Sequence, residues 1–154
     1  MALPPSTDPS ALSLEPTLCH GLVEAIATSR RSQADNQGVK LVVAQGLEEI
    51  VAHTDRRILS TIVIGLIDEA IASAPRGVVH VSVLGCIAGG RKAVEISIAG
   101  LHAEPSTTAA RPSDVESFAL GRGAALAAAL GGEISVQRKP GEGGTYVLRF
   151  PEML

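Results

Sequence analysis

The chain has 154 residues and a formal net charge of -3, with 45% hydrophobic and 19% charged residues. These values are typical of one globular domain and exclude a disordered chain. Tryptophan is absent and only one Tyr and two Phe occur, which argues against the stacking platforms of single-strand nucleic-acid binders. No dense run of Lys and Arg is present, so nucleic acid is not an expected partner.

Cysteine and histidine residues are too scattered to predict a metal site. Cys19 and Cys86 are far apart and are expected to be free thiols in a reducing, cytoplasmic compartment. The histidines form no HxH or HExxH pattern and stand at positions 20, 53, 80 and 102. No secretory signal is visible, and the longest apolar stretch, residues 62–67, is too short to span a bilayer. The sequence therefore predicts a cytoplasmic chain without membrane insertion.

The chain begins with a predicted leader and a helix. Residues 1–16 contain four prolines among Ser, Thr and Asp, which is typical of a flexible leader, and the folded domain is predicted over residues 17–154. Apolar residues that recur every four positions predict a helix from Thr17 to about Gln37. Gly38 is placed to end that helix.

Two strands and a second helix follow. Residues 39–44 (VKLVVA) are rich in β-branched side chains and predict a strand, and a short strand is predicted at residues 50–52. A wide apolar stripe predicts a helix that ends near Ser73. Thr54 or Asp55 can cap its beginning.

The second half of the chain predicts a hairpin, a loop and a final helix with two strands. Alternating apolar and polar residues on either side of a Gly-Gly pair predict strands at 78–88 and 91–99. Residues 100–116 are polar and predict a loop. The remaining predicted elements are a helix at 117–130 and strands at 133–138 and 145–150. This order predicts an α+β fold with helices on one face of a mixed sheet.

Three strings in this order resemble one known domain. They are LSLEPTLCHGLVEAIA, HTDRRILSTIVIGLIDEAIASAPRGVVHVSV and LGGEISVQRKPGEGGTYVLRFP, of which the last is the most specific. Over residues 12–151 the chain resembles the catalytic ATP-binding domain of sensor histidine kinases. That domain belongs to the GHKL superfamily with the gyrase, heat-shock chaperone and mismatch-repair ATPases. The resemblance implies a two-layer α/β sandwich of the Bergerat type, and ATP with magnesium as the ligands.

The first family motif, the asparagine-rich N box, maps onto residues 65–70. In the family an N-box side chain coordinates the magnesium of the triphosphate, but both asparagine positions are lost here, to Gly65 and Glu69. Glu69 could still ligate magnesium, because hard cations accept carboxylates, although it would add a negative charge beside the phosphates. Asp68 and Glu69 form an acidic pair for which we favour a solvated helix face over a catalytic role.

The second family motif, DxGxG, maps onto the end of the predicted strand at 91–99. The family's aspartate accepts a hydrogen bond from the adenine amino group, and its position is taken here by Ala99. Leu101 and Ala103 replace the glycines that let the base approach. A methyl group cannot accept the hydrogen bond, and an unsatisfied adenine amino group would cost on the order of 1–3 kcal/mol.

The third family motif, the GxGLGL phosphate loop, maps without gaps onto residues 117–120, where both glycines are replaced. A shifted alternative is Gly121-Arg122-Gly123, in which glycines near a helix start expose amides and Arg122 could contact a phosphate. The alternative role of the two glycines is close helix packing. By the same resemblance, Thr145 of the closing Gly-Gly-Thr belongs to the candidate pocket.

Two further features depart from the family. The loop at 100–116 is shorter than the lid that folds over ATP in active relatives, and no dimerisation hairpin with a phosphorylated histidine is expected in this chain. His20 lies on the first predicted helix, but a lone helical histidine is more often a packing or surface residue than a phosphoacceptor. Together these departures predict a pocket that no longer holds ATP.

Three functions remain in competition. The first is a non-catalytic domain that acts in bacterial two-component signalling by binding a response regulator, kinase or phosphotransfer protein, with no cofactor. The second is a divergent kinase domain that uses ATP and magnesium to phosphorylate a histidine supplied in trans or by a missing segment. The third is a pocket adapted to another small ligand, since its replacements are apolar and Gly65 adds room. A dimer is compatible with each of them.

Overall fold

The computed structural model describes residues 12–45, 49–101, 117–138 and 144–154, and Ala103, the loop at 102–116 and most of the leader lie outside these ranges. Within them the helices are α1, Cys19–Asn36; α2, Arg56–Ser73; and α3, Arg122–Ala129. The strands are β1, Leu14–Leu18; β2, Lys40–Val43; β3, Val51–Asp55; β4, Val78–Ala88; β5, Arg91–Leu101; β6, Glu133–Arg138; and β7, Gly144–Pro151.

Five strands form one mixed sheet in the order β2-β4-β5-β7-β6. Strand β2 runs parallel to β4, and the other neighbouring pairs are antiparallel. Alternate residues of the central strands face the helices and build the core, as Val79, Val81 and Val83 do in β4. The apolar stripe of α2 packs against this face. The predicted two-layer α+β sandwich with a mixed sheet is confirmed.

The ends of α1 and α2 follow from local chemistry. Asp55 caps α2, because its Oδ1 accepts hydrogen bonds from the backbone N–H groups of Arg57 and Ile58 at 3.0 and 3.2 Å. Helix α1 ends where Gly38 adopts a φ of 70°, which only glycine takes without strain. The predicted cap at Asp55 and the predicted end of the first helix at Gly38 are both confirmed.

A two-stranded antiparallel ribbon of β1 and β3 was not predicted. Leu14–Pro16, assigned to the leader, lie in β1, and α1 begins at Cys19 rather than at Thr17. Strand β3 therefore pairs with β1 and not with its chain neighbour β2. Strand β1 was hidden because its Pro16 is one of the four prolines that indicated a leader.

The last helix is shorter than the sequence predicts. Residues 117–121 form a turn, and α3 begins only at Arg122. The turn is closed by backbone hydrogen bonds from Gly121 N–H to Ser117 O at 3.0 Å and from Gly123 N–H to Phe118 O at 2.7 Å. Alanine-rich composition favours a helix over the whole stretch, but these bonds and the side-chain contacts of the turn override it.

Both cysteines are free, as predicted. Cys19 is fully buried, and burial, with the nearby carboxylates of Glu49 and Glu152, raises its pKa to about 12. Among the described residues, no helix combines the length and apolar content needed to cross a bilayer.

Candidate functional site

Glu69, which the motif alignment places in the N box, accepts hydrogen bonds from one side chain and one backbone amide of the same chain. One carboxylate oxygen accepts a hydrogen bond from the Ser117 hydroxyl at 2.5 Å, and the other accepts one from the Ala119 N–H at 3.1 Å. Ala119 is fully buried and belongs to the core. Glu69 thus ties the turn at 117–121 to α2, and both of its oxygens are engaged.

Gly65 provides a notch on α2 that the Phe118 ring fills. A Cβ added to Gly65 would lie only 2.2 to 2.6 Å from three atoms of that ring. The same edge of the ring packs against α3, because a Cβ on Gly123 would lie 2.9 Å from its Cε1 atom. The room that Gly65 was expected to add to the pocket is therefore occupied by an aromatic side chain of the same chain.

The Gly121-Arg122-Gly123 segment lies at the beginning of α3, but two of its amides already have partners. The N–H groups of Gly121 and Gly123 donate to carbonyls of the preceding turn. Arg122 is exposed to solvent. The close approach of Gly123 to Phe118 supports the packing role for this glycine over a phosphate loop.

Strand β5 presents a different residue to the helices from the one that the motif alignment selects. Ile96, Ile98 and Gly100 are buried on the helix side, whereas Ala99 points to the other face of the sheet, beside its cross-strand partner Thr145. Leu101 is about half exposed. A ligand between α2 and the sheet would consequently meet Gly100 and not Ala99, Leu101 or Thr145.

The sequence analysis did not select Gly100 as a residue facing the helices. A Cβ on this residue would lie 3.3 Å from the Ala74 Cβ of α2, so the strand and the helix approach closely here. The two buried isoleucines before it are the signal that could have found it, because residues two apart on a strand share a face. Phe118 was also missed as a contact of Gly65, and no local pattern would have shown it.

Asp68 faces α1 rather than the turn at 117–121. Its Oδ1 lies 3.3 Å from Nε of Arg30, close enough for an ion pair although the two atoms are not aligned for a hydrogen bond. Burial raises the pKa of the Asp68 carboxyl, and the Arg30 charge lowers it by less. The pair joins two helices, and this supports the non-catalytic interpretation of the acidic Asp68-Glu69 sequence.

The raised pKa of Asp68 predicts a pH-dependent effect of Asp68→Asn. The folded state binds the Asp68 proton more tightly than the unfolded chain does, so the contribution of Asp68 to stability falls as the pH rises above 3.8. We expect the free energy of unfolding of D68N, relative to the wild type, to increase with pH until the folded-state carboxyl is ionised. Urea denaturation across a pH series measures the difference in the free energy of unfolding between D68N and the wild type. A difference that stays constant or decreases with pH would contradict a raised pKa of Asp68. Arg30→Gln removes the charge that lowers the Asp68 pKa, so the free energy of unfolding of this variant should fall more with rising pH than that of the wild type.

The remaining candidates show no reactive arrangement. The His20 Nε2 lies 3.0 Å from the Ala44 carbonyl oxygen and its Nδ1 lies 4.0 Å from the Glu24 carboxylate, which does not favour a phosphoacceptor role. In the part of the chain that the structure covers, no three His, Cys, Asp or Glu side chains are placed to hold a metal ion. Two clefts lie away from Gly65 and Glu69. One, of about 420 Å³, is lined by Arg91–Ala93 and Gly131. The other, of about 430 Å³, is lined by Arg31 and Lys40.

Solved histidine kinase structures share this architecture. The histidine kinase from Burkholderia phymatum STM815 superposes with a TM-score of 0.75 at 16% identity, over 94% of this chain and 74% of that one. The catalytic domain of the histidine kinase ThkA gives a TM-score of 0.69 at 12% identity, over 92% of this chain and 97% of that one. The chain has the fold of a histidine kinase catalytic domain.

A third similar structure is that of a kinase bound to AMPPNP. Full-length ShkA in complex with AMPPNP superposes with a TM-score of 0.72 at 24% identity, over 91% of this chain. This chain spans 31% of the length of ShkA. No protein-family model and no curated protein matches the sequence. At these identities the comparison establishes the histidine kinase catalytic fold, and the ligand chemistry has to be argued from the residues.

Proposed function

We propose that this chain is a histidine kinase-like domain that does not use ATP and that acts in two-component signalling by binding a response regulator, a kinase or a phosphotransfer protein. The observation that carries the proposal is the Glu69 carboxylate bonded to Ser117 and Ala119. At the position that the alignment assigns to the N box, a side chain that would have to hold magnesium instead accepts hydrogen bonds from the Ser117 hydroxyl and the Ala119 backbone amide.

The charge and hydrogen bonding of Glu69 argue against a bound triphosphate. A phosphate placed at the turn would meet the Glu69 carboxylate, which already accepts from the Ala119 amide that an anion would need. If the phosphate took that amide, the partly buried Glu69 carboxylate would lose a donor and remain as a negative charge beside the phosphate. The residues present do not fit Mg-ATP.

The base-binding side of the pocket leads to the same conclusion. An adenine amino group needs an acceptor on the strand, and neither Ala99 nor the inward-facing Gly100 carries a side-chain acceptor. Phe118 fills the notch at Gly65, so space beside the N box is already taken. Glu69 disfavours the metal and the phosphate, the residues of β5 disfavour the base, and Phe118 fills the notch, which supports loss of ATP binding over a single altered contact.

Partner binding is inferred from what has been retained. An extensive hydrophobic core and the mixed sheet of the histidine kinase catalytic fold are present. Such domains work in two-component pathways alongside phosphoacceptor hairpins and receiver domains, and a domain that has lost its ligand can still present the surfaces that contact those proteins. This step rests on analogy of fold.

The proposal is tested by combining a binding and a transfer assay. The chain is mixed with receiver domains, phosphotransfer proteins and phosphoacceptor hairpins of its source organism, and affinities are measured by calorimetry. The same mixtures receive radiolabelled ATP and magnesium. We expect saturable binding to one of these proteins and no labelled histidine. ATP-dependent labelling of a hairpin would instead support the divergent kinase that phosphorylates in trans.

A further inference from the structure

The β1–β3 ribbon presents an apolar surface to solvent. Because alternate residues of a strand share a face, its outward side chains come from every second position, and Met153 lies beside them through a bridge to His53. We call this surface the ribbon face, and it consists of Leu14, Pro16, Leu18, Val51, His53 and Met153. The exposed fractions are 57% for Leu18, 47% for its cross-strand partner Val51 and 67% for Met153. Contiguous exposed apolar side chains of this kind mark interaction sites.

The ribbon face is held in place by backbone hydrogen bonds to the rest of the domain. His53 N–H donates to Glu152 O at 2.7 Å, and Glu152 N–H donates to Lys92 O at 3.0 Å. At the other end of the ribbon, Cys19 N–H donates to Ile50 O at 2.9 Å. A surface fixed in this way loses little conformational freedom when it is covered by a partner.

Charges of opposite sign flank the two ends of the ribbon face. The end where Leu18 pairs with Val51 is preceded by the exposed Glu49. The end where Leu14 pairs with Asp55 continues into the exposed Arg56 and Arg57. Five extended residues separate these ends by about 17 Å, so the face is acidic at one end and basic at the other.

We propose that the ribbon face is the interface for a second copy of this chain, related by a two-fold axis. A two-fold axis that lies in the plane of the contact, perpendicular to the strands, turns the two ribbon faces toward each other with their strands in opposite directions, and the acidic end of each copy then meets the basic end of the other. The same arrangement covers the apolar side chains of both copies in one isologous contact. This inference is independent of the proposed function, because it uses none of the N-box residues.

The test is the mass of the protein in solution as a function of concentration, measured by sedimentation velocity. The wild type is expected to shift from monomer to dimer in the micromolar range, and Leu18→Asp should weaken this association at least about tenfold. Leu18 is 57% exposed at the N-cap position of α1, where aspartate is a favoured residue type, so the variant is expected to stay folded. Leu84→Asp is the matched control, because Leu84 is 55% exposed on β4, outside the ribbon face, and should leave the dimer unchanged.

Two outcomes would overturn the proposal. A wild type that stays monomeric at several hundred micromolar would mean that the ribbon face is covered by a different protein or by none. A dimer weakened equally by L18D and L84D would place the contact elsewhere. If the dimer forms as proposed, raising the salt concentration should weaken it several-fold, because the flanking charges are solvent-exposed.

Discussion

Replacing Gly65 with alanine is expected to destabilise the fold by about 1–3 kcal/mol, although alanine is the better helix former. The added methyl group would lie within 2.6 Å of the Phe118 ring, so the ring or the turn at 117–121 has to move. Moving the ring outward exposes its apolar surface, and pushing it inward strains the packing against α3. Either response destabilises the folded state by more than the better helix propensity of alanine stabilises it. Urea denaturation measures the change in the free energy of unfolding.

The matched control is Gly21→Ala in α1. Its added Cβ would lie 3.5 Å or more from its neighbours, which is ordinary contact, so this variant should be neutral or more stable by about 0.5–1 kcal/mol. In a Phe118→Ala background, Gly65→Ala should lose its penalty, and the double-mutant cycle should show a coupling of at least about 1 kcal/mol. Equal effects at Gly65 and Gly21 would mean that Phe118 does not occupy the notch.

Replacing Glu69 with alanine is expected to cost about 2–4 kcal/mol. The substitution removes both acceptors that hold the turn, and the Ala119 amide is then left buried without a partner. Glu69→Gln retains one carbonyl oxygen and should lose less. The loss is measured by urea denaturation, and faster hydrogen exchange at the Ala119 amide would locate it.

Glu24→Ala on α1 serves as the control for the Glu69 variant. Glu24 is an exposed helical glutamate, so its replacement should change the free energy of unfolding by no more than about 0.5 kcal/mol. If Glu69→Ala were as mild as this control, Glu69 would not hold the turn, and the main observation against ATP binding would be lost.

The elements that the sequence predicts well are those set by local signals. The apolar stripe of α2, the Asp55 cap and the positive-φ Gly38 each act within a few residues, and each is found where it was expected. The ribbon was missed for a local reason as well, since Pro16 and the prolines before it indicated a leader. Its pairing joins strands that lie on either side of α1 and β2, which no short pattern specifies.

The candidate site was harder to predict because its contacts are distant in sequence. Glu69 and Ser117 are 48 residues apart, and only the folded chain brings them together. On β5 the motif alignment chose Ala99, one residue from the inward-facing Gly100. A shift of one position reverses the face of a strand, so the motif alignment and the inward-facing isoleucines select different residues, Ala99 and Gly100. The roles of Gly121, Arg122 and Gly123 in phosphate binding stay predictions.

The most direct test of the central claim is a calorimetric titration of the wild-type chain with ATP and magnesium, with melting temperature followed in parallel. A ligand at one hundred times its dissociation constant stabilises a fold by roughly 2.7 kcal/mol, which raises the melting temperature of a domain this size by about 5–10 °C. We predict no binding heat and no shift up to millimolar ATP, because Glu69 and Phe118 occupy the pocket. Micromolar affinity with a raised melting temperature would contradict the account and identify the chain as an ATP-binding domain.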